Sequence, residues 1–253
     1  MKSVGNKKIA VEIQGSGEPV MLIHGLGGTT SVWGAQVNDL SRRFTVMRLD
    51  LEGSGRSQTV SRLSVQGWVD DLLALANAEG FSTVRVVGHS LGTLIAQHFT
   101  SQNPDRVVRL ALLGINRAPV DARRQALRDR ATKVREGGLE AIVDNVVSAG
   151  ISKHSLQNPL VEPFARELVI RQSQEGYARS CEAVAEAVAA DLTRVKCPVL
   201  LVAGEDDTVS PPSVSQAVAS ELGDAKVVVL QQCGHWLPIE RPVEVNRALM
   251  DFL

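Results

Sequence analysis

The chain is poor in cysteine and in aromatic residues, and it carries almost no net charge. Three cysteines, Cys181, Cys197 and Cys233, are scattered over 253 residues with no C-x-x-C pair. An odd, widely spaced set of thiols makes neither a disulfide framework nor a zinc site, so a reducing cytoplasm is the expected setting. Phe, Trp and Tyr together are 4% of the chain, and Tyr177 is the single tyrosine. That argues against an aromatic platform for sugars or bases. Lys plus Arg number 27 against 28 Asp plus Glu, a balance that disfavours nucleic-acid and membrane-surface partners. No apolar run reaches the roughly 18–20 residues of a membrane span. Met1–Ile13 has lysines but neither the apolar core nor the cleavage site of a secretory leader. Neither G-x-G-x-x-G nor G-x-x-x-x-G-K-[ST] occurs, so the glycine-rich stretch His24–Gly28 does not read as a phosphate loop.

What is present is an α/β rhythm. The hydrophobic share is 44%, enough for one large domain with a substantial core. An alternating segment, Ile9–Ile13, and a turn, Gly15–Pro19, precede the apolar run Pro19–Ile23. Further buried-strand patterns follow at Thr45–Leu49, Val84–Val87, Val107–Leu113, Pro198–Ala203 and Lys226–Leu230. Helical spacing separates them at Ser31–Leu40, Val65–Glu79, Leu91–Gln102, Ser213–Glu221 and Pro242–Leu253. Strand and helix in alternation, with strands apolar throughout, predict a mostly parallel sheet covered on both faces. Residues 117–190 break the rhythm. They hold no convincing strand, only helical stretches at Ala122–Glu136, Leu139–Ala149 and Cys181–Ala190. They read as a helical insertion on an α/β body, in a single domain spanning residues 1–253.

The chemistry centres on Gly88-His89-Ser90-Leu91-Gly92, which fits G-x-S-x-G between a strand and a helix. Such a turn must be sharp enough to lift a serine off the strand end, and side chains at the flanking positions would strike the neighbouring strand and helix. A serine nucleophile needs a base. His24 and His89 lie in glycine-rich turns, His98 lies mid-helix and His154 lies in the insertion. His235 sits instead on a late loop after a strand, where it can face the serine. An acid must then fix the imidazole tautomer. Gly204-Glu205-Asp206-Asp207 follows the preceding strand, and both Asp206 and Asp207 qualify on position. Acyl transfer also requires two donors for the developing oxyanion. The backbone amides of Leu91 and of Leu26, in the early glycine-rich loop, suit that role. Trp33, Tyr177 and Trp236 are candidate pocket walls. Asp50 and Arg56 read as organisers of their loop, and Glu240 as an anchor of the last helix. The Arg-rich run Arg117–Arg135 reads either as a solvated helix face or as an attractor of a carboxylate-bearing substrate.

Four blocks occur in order: His24-Gly25-Leu26-Gly27; Asp50–Ser57 as D-x-x-G-x-G-x-S; Gly88–Gly92; and Gly204–Asp207 with Gly234-His235. Together they resemble the α/β-hydrolase fold superfamily over nearly the whole chain. In that family the G-x-x-D aspartate is the triad acid, which implies Asp207, and the order Ser90, Asp207, His235 is the family's order. The segment before the acid strand is a variable cap in the family, and it corresponds to residues 116–190. Within the superfamily the chain is similar to 3-oxoadipate enol-lactonases and related carboxylic ester hydrolases. Leu94–His98, Val134–Leu139, Glu175–Ala178, Cys181–Ala183 and His235–Pro242 carry that similarity. Two places depart from it. Ser148–Ser152 stands where the family has a tryptophan-containing segment, and Thr93 stands where a small residue is commoner.

The resemblance implies a serine hydrolase of a small ester or lactone, acting through an acyl-enzyme with no metal or organic cofactor. Two readings compete on the same triad, a C–C bond hydrolase of ring-fission products and a cofactor-free haloperoxidase-like perhydrolase. A ligand receptor built on this fold is a third. The substrate and the oligomeric state stay open at this level.

Overall fold

Apolar strands with both faces covered build the frame. In the computed structural model, which describes all residues from Met1 to Leu253, the chain opens with a hairpin. Its strands β1 (Lys2–Val4) and β2 (Lys7–Ile9) pair antiparallel, apart from the main sheet. That sheet has seven strands in the order β3-β5-β4-β6-β7-β8-β9. They are β3 (Val11–Gln14), β4 (Pro19–Ile23), β5 (Thr45–Leu49), β6 (Val84–His89), β7 (Val107–Leu113), β8 (Val199–Gly204) and β9 (Ala225–Leu230). Only β3 runs antiparallel, against β5. Along each central strand, successive side chains enter two different cores, as the two-residue strand period requires. Val20, Leu22, Val87, Ala111 and Val202 fill one, while Met21, Ile23, Val86, Leu110 and Leu201 fill the other.

The register aligns the carboxyl ends. Ile23 lies beside Leu49 and Gly88, His89 beside Leu113, and Gly204 beside Leu230. The loops after β4, β5, β6, β7, β8 and β9 therefore gather at one edge, where open parallel sheets bind ligands. Helices α1 (Gly34–Leu40), α2 (Val65–Ala78), α3 (Leu91–Gln102), α8 (Pro212–Glu221), α9 (Leu237–Glu240) and α10 (Pro242–Phe252) surround the sheet. Between β7 and β8 lie α4 (Asp121–Gly137), α5 (Val143–Gly150), α6 (Val161–Ile170) and α7 (Gln174–Ala185), with α4 packed along α7. No helix is long and apolar enough to cross a membrane.

Several elements differ from the sequence expectation, each for a local reason. Ile9–Ile13 is two strands, not one. At Ala10 the chain leaves the hairpin for the main sheet, because the Ala10 N–H donates to Ser57 Oγ and its carbonyl accepts the Asp50 N–H. The Ser31–Leu40 helix begins as a 3-10 turn at Thr30–Trp33. The predicted helix Cys181–Ala190 starts earlier, at Gln174, where Ser173 Oγ accepts the Gly176 amide, and it stops at Ala185. Beyond it, Arg124 takes the carbonyls of Ala185 and Ala187, and His98 Nε2 that of Val188. Side-chain donors thus replace the helical amides there. Helix α6 had no counterpart in the expectation.

Candidate active site

Ser90 occupies the turn between β6 and α3 with φ 51° and ψ −118°. That conformation is strained for a residue with a side chain and persists only where the surroundings over-determine it. They do so here. A Cβ on Gly88 would lie 2.4 Å from the Gly92 carbonyl oxygen, and one on Gly92 would lie 2.1 Å from that of Ile23. The Ser90 N–H donates to the Leu113 carbonyl at 2.9 Å. Backbone contact on both sides forces the hydroxyl out toward the sheet edge.

His235 meets it there. Its Nε2 lies 2.7 Å from Ser90 Oγ, and its Nδ1 lies 2.8 Å from Asp207 Oδ2. The partners assign the tautomer. A carboxylate only accepts, so Nδ1 carries the proton and Nε2 is free to accept from Ser90. The other Asp207 oxygen accepts the amides of Val209 and Ser210 at 2.9 and 2.7 Å. Asp207 is buried, whereas Asp206 is exposed and turned away. The structure therefore brings Ser90, His235 and Asp207 into one hydrogen-bonded line, and leaves Asp206 outside it.

The early loop passes close beside the serine. A Cβ on Gly25 would lie 2.9 Å from Ser90 Cβ. The neighbouring Leu26 amide donates to no backbone or side-chain acceptor. Leu91 opens α3, so its amide has no acceptor within the helix. His24 shapes the loop: its Nδ1–H donates to the Gly25 carbonyl, and its Nε2 accepts the Leu51 amide. Burial pushes His24 below the usual histidine range, which keeps it neutral. Asp50 accepts the amides of Thr30 and Arg56 and the Arg56 guanidinium. Burial alone would raise its pKa, but these donors hold the carboxyl below the ordinary range. Asp50 and Arg56 thus organise the loop, as the sequence implied.

His89 lies beneath the site. Burial, and secondarily the charge of His235, push it down to about 3. It is therefore neutral, and its Nε2–H donates to the His235 carbonyl at 2.7 Å. Glu240 does more than anchor the last helix. Its carboxylate accepts the amides of Gly234, Trp236 and Ser152, each at 2.9 Å. The His235 loop is thus pinned on both sides and tied to the chain just after α5.

A cavity of about 480 Å³ opens over Ser90, between the sheet edge and α4, α5 and α7. Leu26, Leu91, Tyr177 and Trp236 line it. Trp33 does not. It is fully buried, and its ring meets the His89 ring edge-on at 6.4 Å, so it packs behind the site. One cavity residue, Asn116, went unnoticed in the sequence, and Arg123 was noted only as part of the Arg-rich run Arg117–Arg135. Asn116 Nδ2 donates to Ser90 Oγ at 3.0 Å, and Asn116 Oδ1 accepts from Arg123 Nη2 at 3.1 Å. The signal for Asn116 was its position just past the end of β7, on the loop-bearing edge. The signal for Arg123 was its spacing on α4 with Leu127 and Arg130, which share one helix face. No group of His, Cys, Asp or Glu side chains is arranged to hold a metal ion.

Comparison with known proteins agrees with this fold. The family model for the alpha/beta hydrolase fold matches residues 18–242. An (E)-2-((N-methylformamido)methylene)succinate hydrolase of Acinetobacter baylyi is 26% identical over 244 residues, covering 95% of this chain and 92% of the relative. A 3-oxoadipate enol-lactonase of the same organism is 29% identical, covering 88% and 84%. The solved thermophilic esterase of Thermogutta terrifontis superposes with a TM-score of 0.93 at 29% identity, covering 97% and 92%. With the fold, the elbow and the family match in agreement, the chain belongs to the alpha/beta hydrolase fold family and is, at that level, a hydrolase.

Proposed function

We propose that the protein is a serine hydrolase of small carboxylic esters or lactones. The observation that carries this reading is the continuous hydrogen-bonded line Ser90–His235–Asp207 opening into the cavity. Ser90 Oγ attacks the carbonyl carbon while His235 Nε2 takes its proton. Asp207 holds the imidazole and balances the imidazolium. The Leu26 and Leu91 amides receive the tetrahedral oxyanion. As the intermediate collapses, His235 returns the proton to the departing oxygen and leaves an acyl-Ser90 ester. A water then gives a proton to His235 and attacks that ester, which releases the acid and restores the serine. The scheme draws on no metal or organic cofactor. The relatives' names, an enol-lactonase and an esterase among them, support it. Residues 116–190 act in this reading as a cap that shapes the pocket. Three buried, unpaired cysteines suit the cytoplasm in which we place the enzyme.

Stopped-flow hydrolysis of a p-nitrophenyl ester series, from acetate upward, tests the reading. The expected result is a p-nitrophenol burst with wild type that is absent in Ser90→Ala. No turnover of any ester by folded protein would overturn it and shift the weight to C–C bond hydrolysis.

A further inference from the structure

The cavity contains positive charge with no counter-charge. Arg123 and Arg130 both line it, and no aspartate or glutamate does. The two arginines lie seven residues apart on α4, on the face that also bears Leu127. Two other α4 arginines have found partners. Arg124 donates to the carbonyls of Ala185 and Ala187, and Arg135 forks between Glu175 and Glu182. Arg123 is engaged by the Val209 carbonyl and by Asn116. Arg130 makes no ion pair with any carboxylate of the chain. Burial, and then the charge of Arg130, depress the Arg123 guanidinium. Two half-buried guanidinium groups lining a mostly apolar cavity are better accommodated when an anion joins them.

Tyr177 supplies a second sign. It is 2% exposed and lines the same cavity, and its hydroxyl lies against Arg130 with no other hydrogen-bond partner. A guanidinium only donates, so the phenol proton is left without an acceptor, and a buried donor facing a cavity points to a ligand. Burial raises the phenol well above its ordinary value, with the charge of Arg130 opposing that rise. The hydroxyl is therefore a donor at neutral pH.

We propose that Arg130 and the Tyr177 hydroxyl form a carboxylate subsite, and that the ester or lactone cleaved at Ser90 carries a free carboxylate bound there. A guanidinium fork and a phenol donor match the two oxygens of one carboxylate. A cavity of this size accommodates a small acid with an ester a few bonds away. The proposal rests on the hydrolase reading, to which it adds the substrate's charge.

The test compares matched substrates by pH-stat. One pair, monomethyl glutarate and methyl pentanoate, places the charge on the acyl side. The other, 4-acetoxybenzoate and phenyl acetate, places it on the leaving group. Wild type is expected to favour the charged member of at least one pair by about tenfold or more in kcat/KM. Arg130→Gln should cut that preference at least tenfold, mainly through KM, and Tyr177→Phe should cut it several-fold. Arg128→Gln, on the exposed side of α4, should leave it at the wild-type value. Equal rates within both pairs, or a preference untouched by Arg130→Gln, would overturn the subsite while the hydrolase reading stood. If no ester is cleaved, calorimetric titration with glutarate decides. Binding that is lost in folded Arg130→Gln keeps the subsite, and no binding at millimolar glutarate removes it.

Discussion

Asp207 differs from the adjacent Asp206 only in where it points. Asp207 is buried against His235 Nδ1 with two amides on its other oxygen, while Asp206 faces solvent. Asp207→Asn would put an NH2 or a weak carbonyl where the imidazole needs an anion, favouring the wrong tautomer. We expect kcat to fall by about a thousandfold or more, and Asp206→Asn to stay within about twofold. Steady-state kinetics on any ester that wild type cleaves gives the answer, and the reverse ranking would move the acid to Asp206. The glycine pattern around Ser90 was readable because each glycine answers a backbone clash, which is a local demand. The roles of Trp33, Asn116 and Glu240 were not, because each depends on a partner far away in the chain. Trp33 sits behind His89, and Glu240 reaches Ser152. No local pattern encodes such pairings.

Among the elements, the strands were the most legible, since seven apolar or alternating runs in an α/β rhythm admit few arrangements. The inserted helices were the least legible. Their ends are set by tertiary donors, such as Arg124 beyond α7, and α6 is a short helix with no signal stronger than its flanking turns. The insertion is also bound to the loops that carry Asp207 and His235. The His235 N–H donates to the Gly150 carbonyl, Thr208 Oγ1 donates to that of Ala149, and Glu240 joins Ser152 to Gly234 and Trp236. The end of α5 therefore acts as a strut for the His235 loop. Glu240→Gln would turn one of its acceptor oxygens into an amide NH2 donor facing backbone N–H groups, leaving at least one buried backbone amide unpaired. We expect kcat to drop about tenfold with KM within about threefold, together with a lower Tm, since the loss lies in positioning rather than binding. A rise in KM alone, with kcat intact, would assign Glu240 to the pocket instead.

At the scale of the whole molecule, the site loads the fold with buried imidazoles whose charge state limits acid stability. His89 is held neutral with a pKa of about 3, and His24 is lowered in the same direction. Their unfolded values lie near 6.5. Between those limits the unfolded chain binds more protons than the folded one, so stability rises with pH across that window and falls as the pH drops below about 6.5. The contribution is fully present above the unfolded value and is lost progressively toward the folded one. A histidine displaced this far contributes on the order of several kcal/mol over the whole window, a large share of the stability of an ordinary domain. Urea midpoints from pH 7 down to pH 4 should fall steeply for wild type. His89→Gln keeps a donor for the His235 carbonyl but removes the titration, so its midpoints should fall less steeply. Parallel slopes for the two proteins would mean that His89 is not the group that ties the fold to pH.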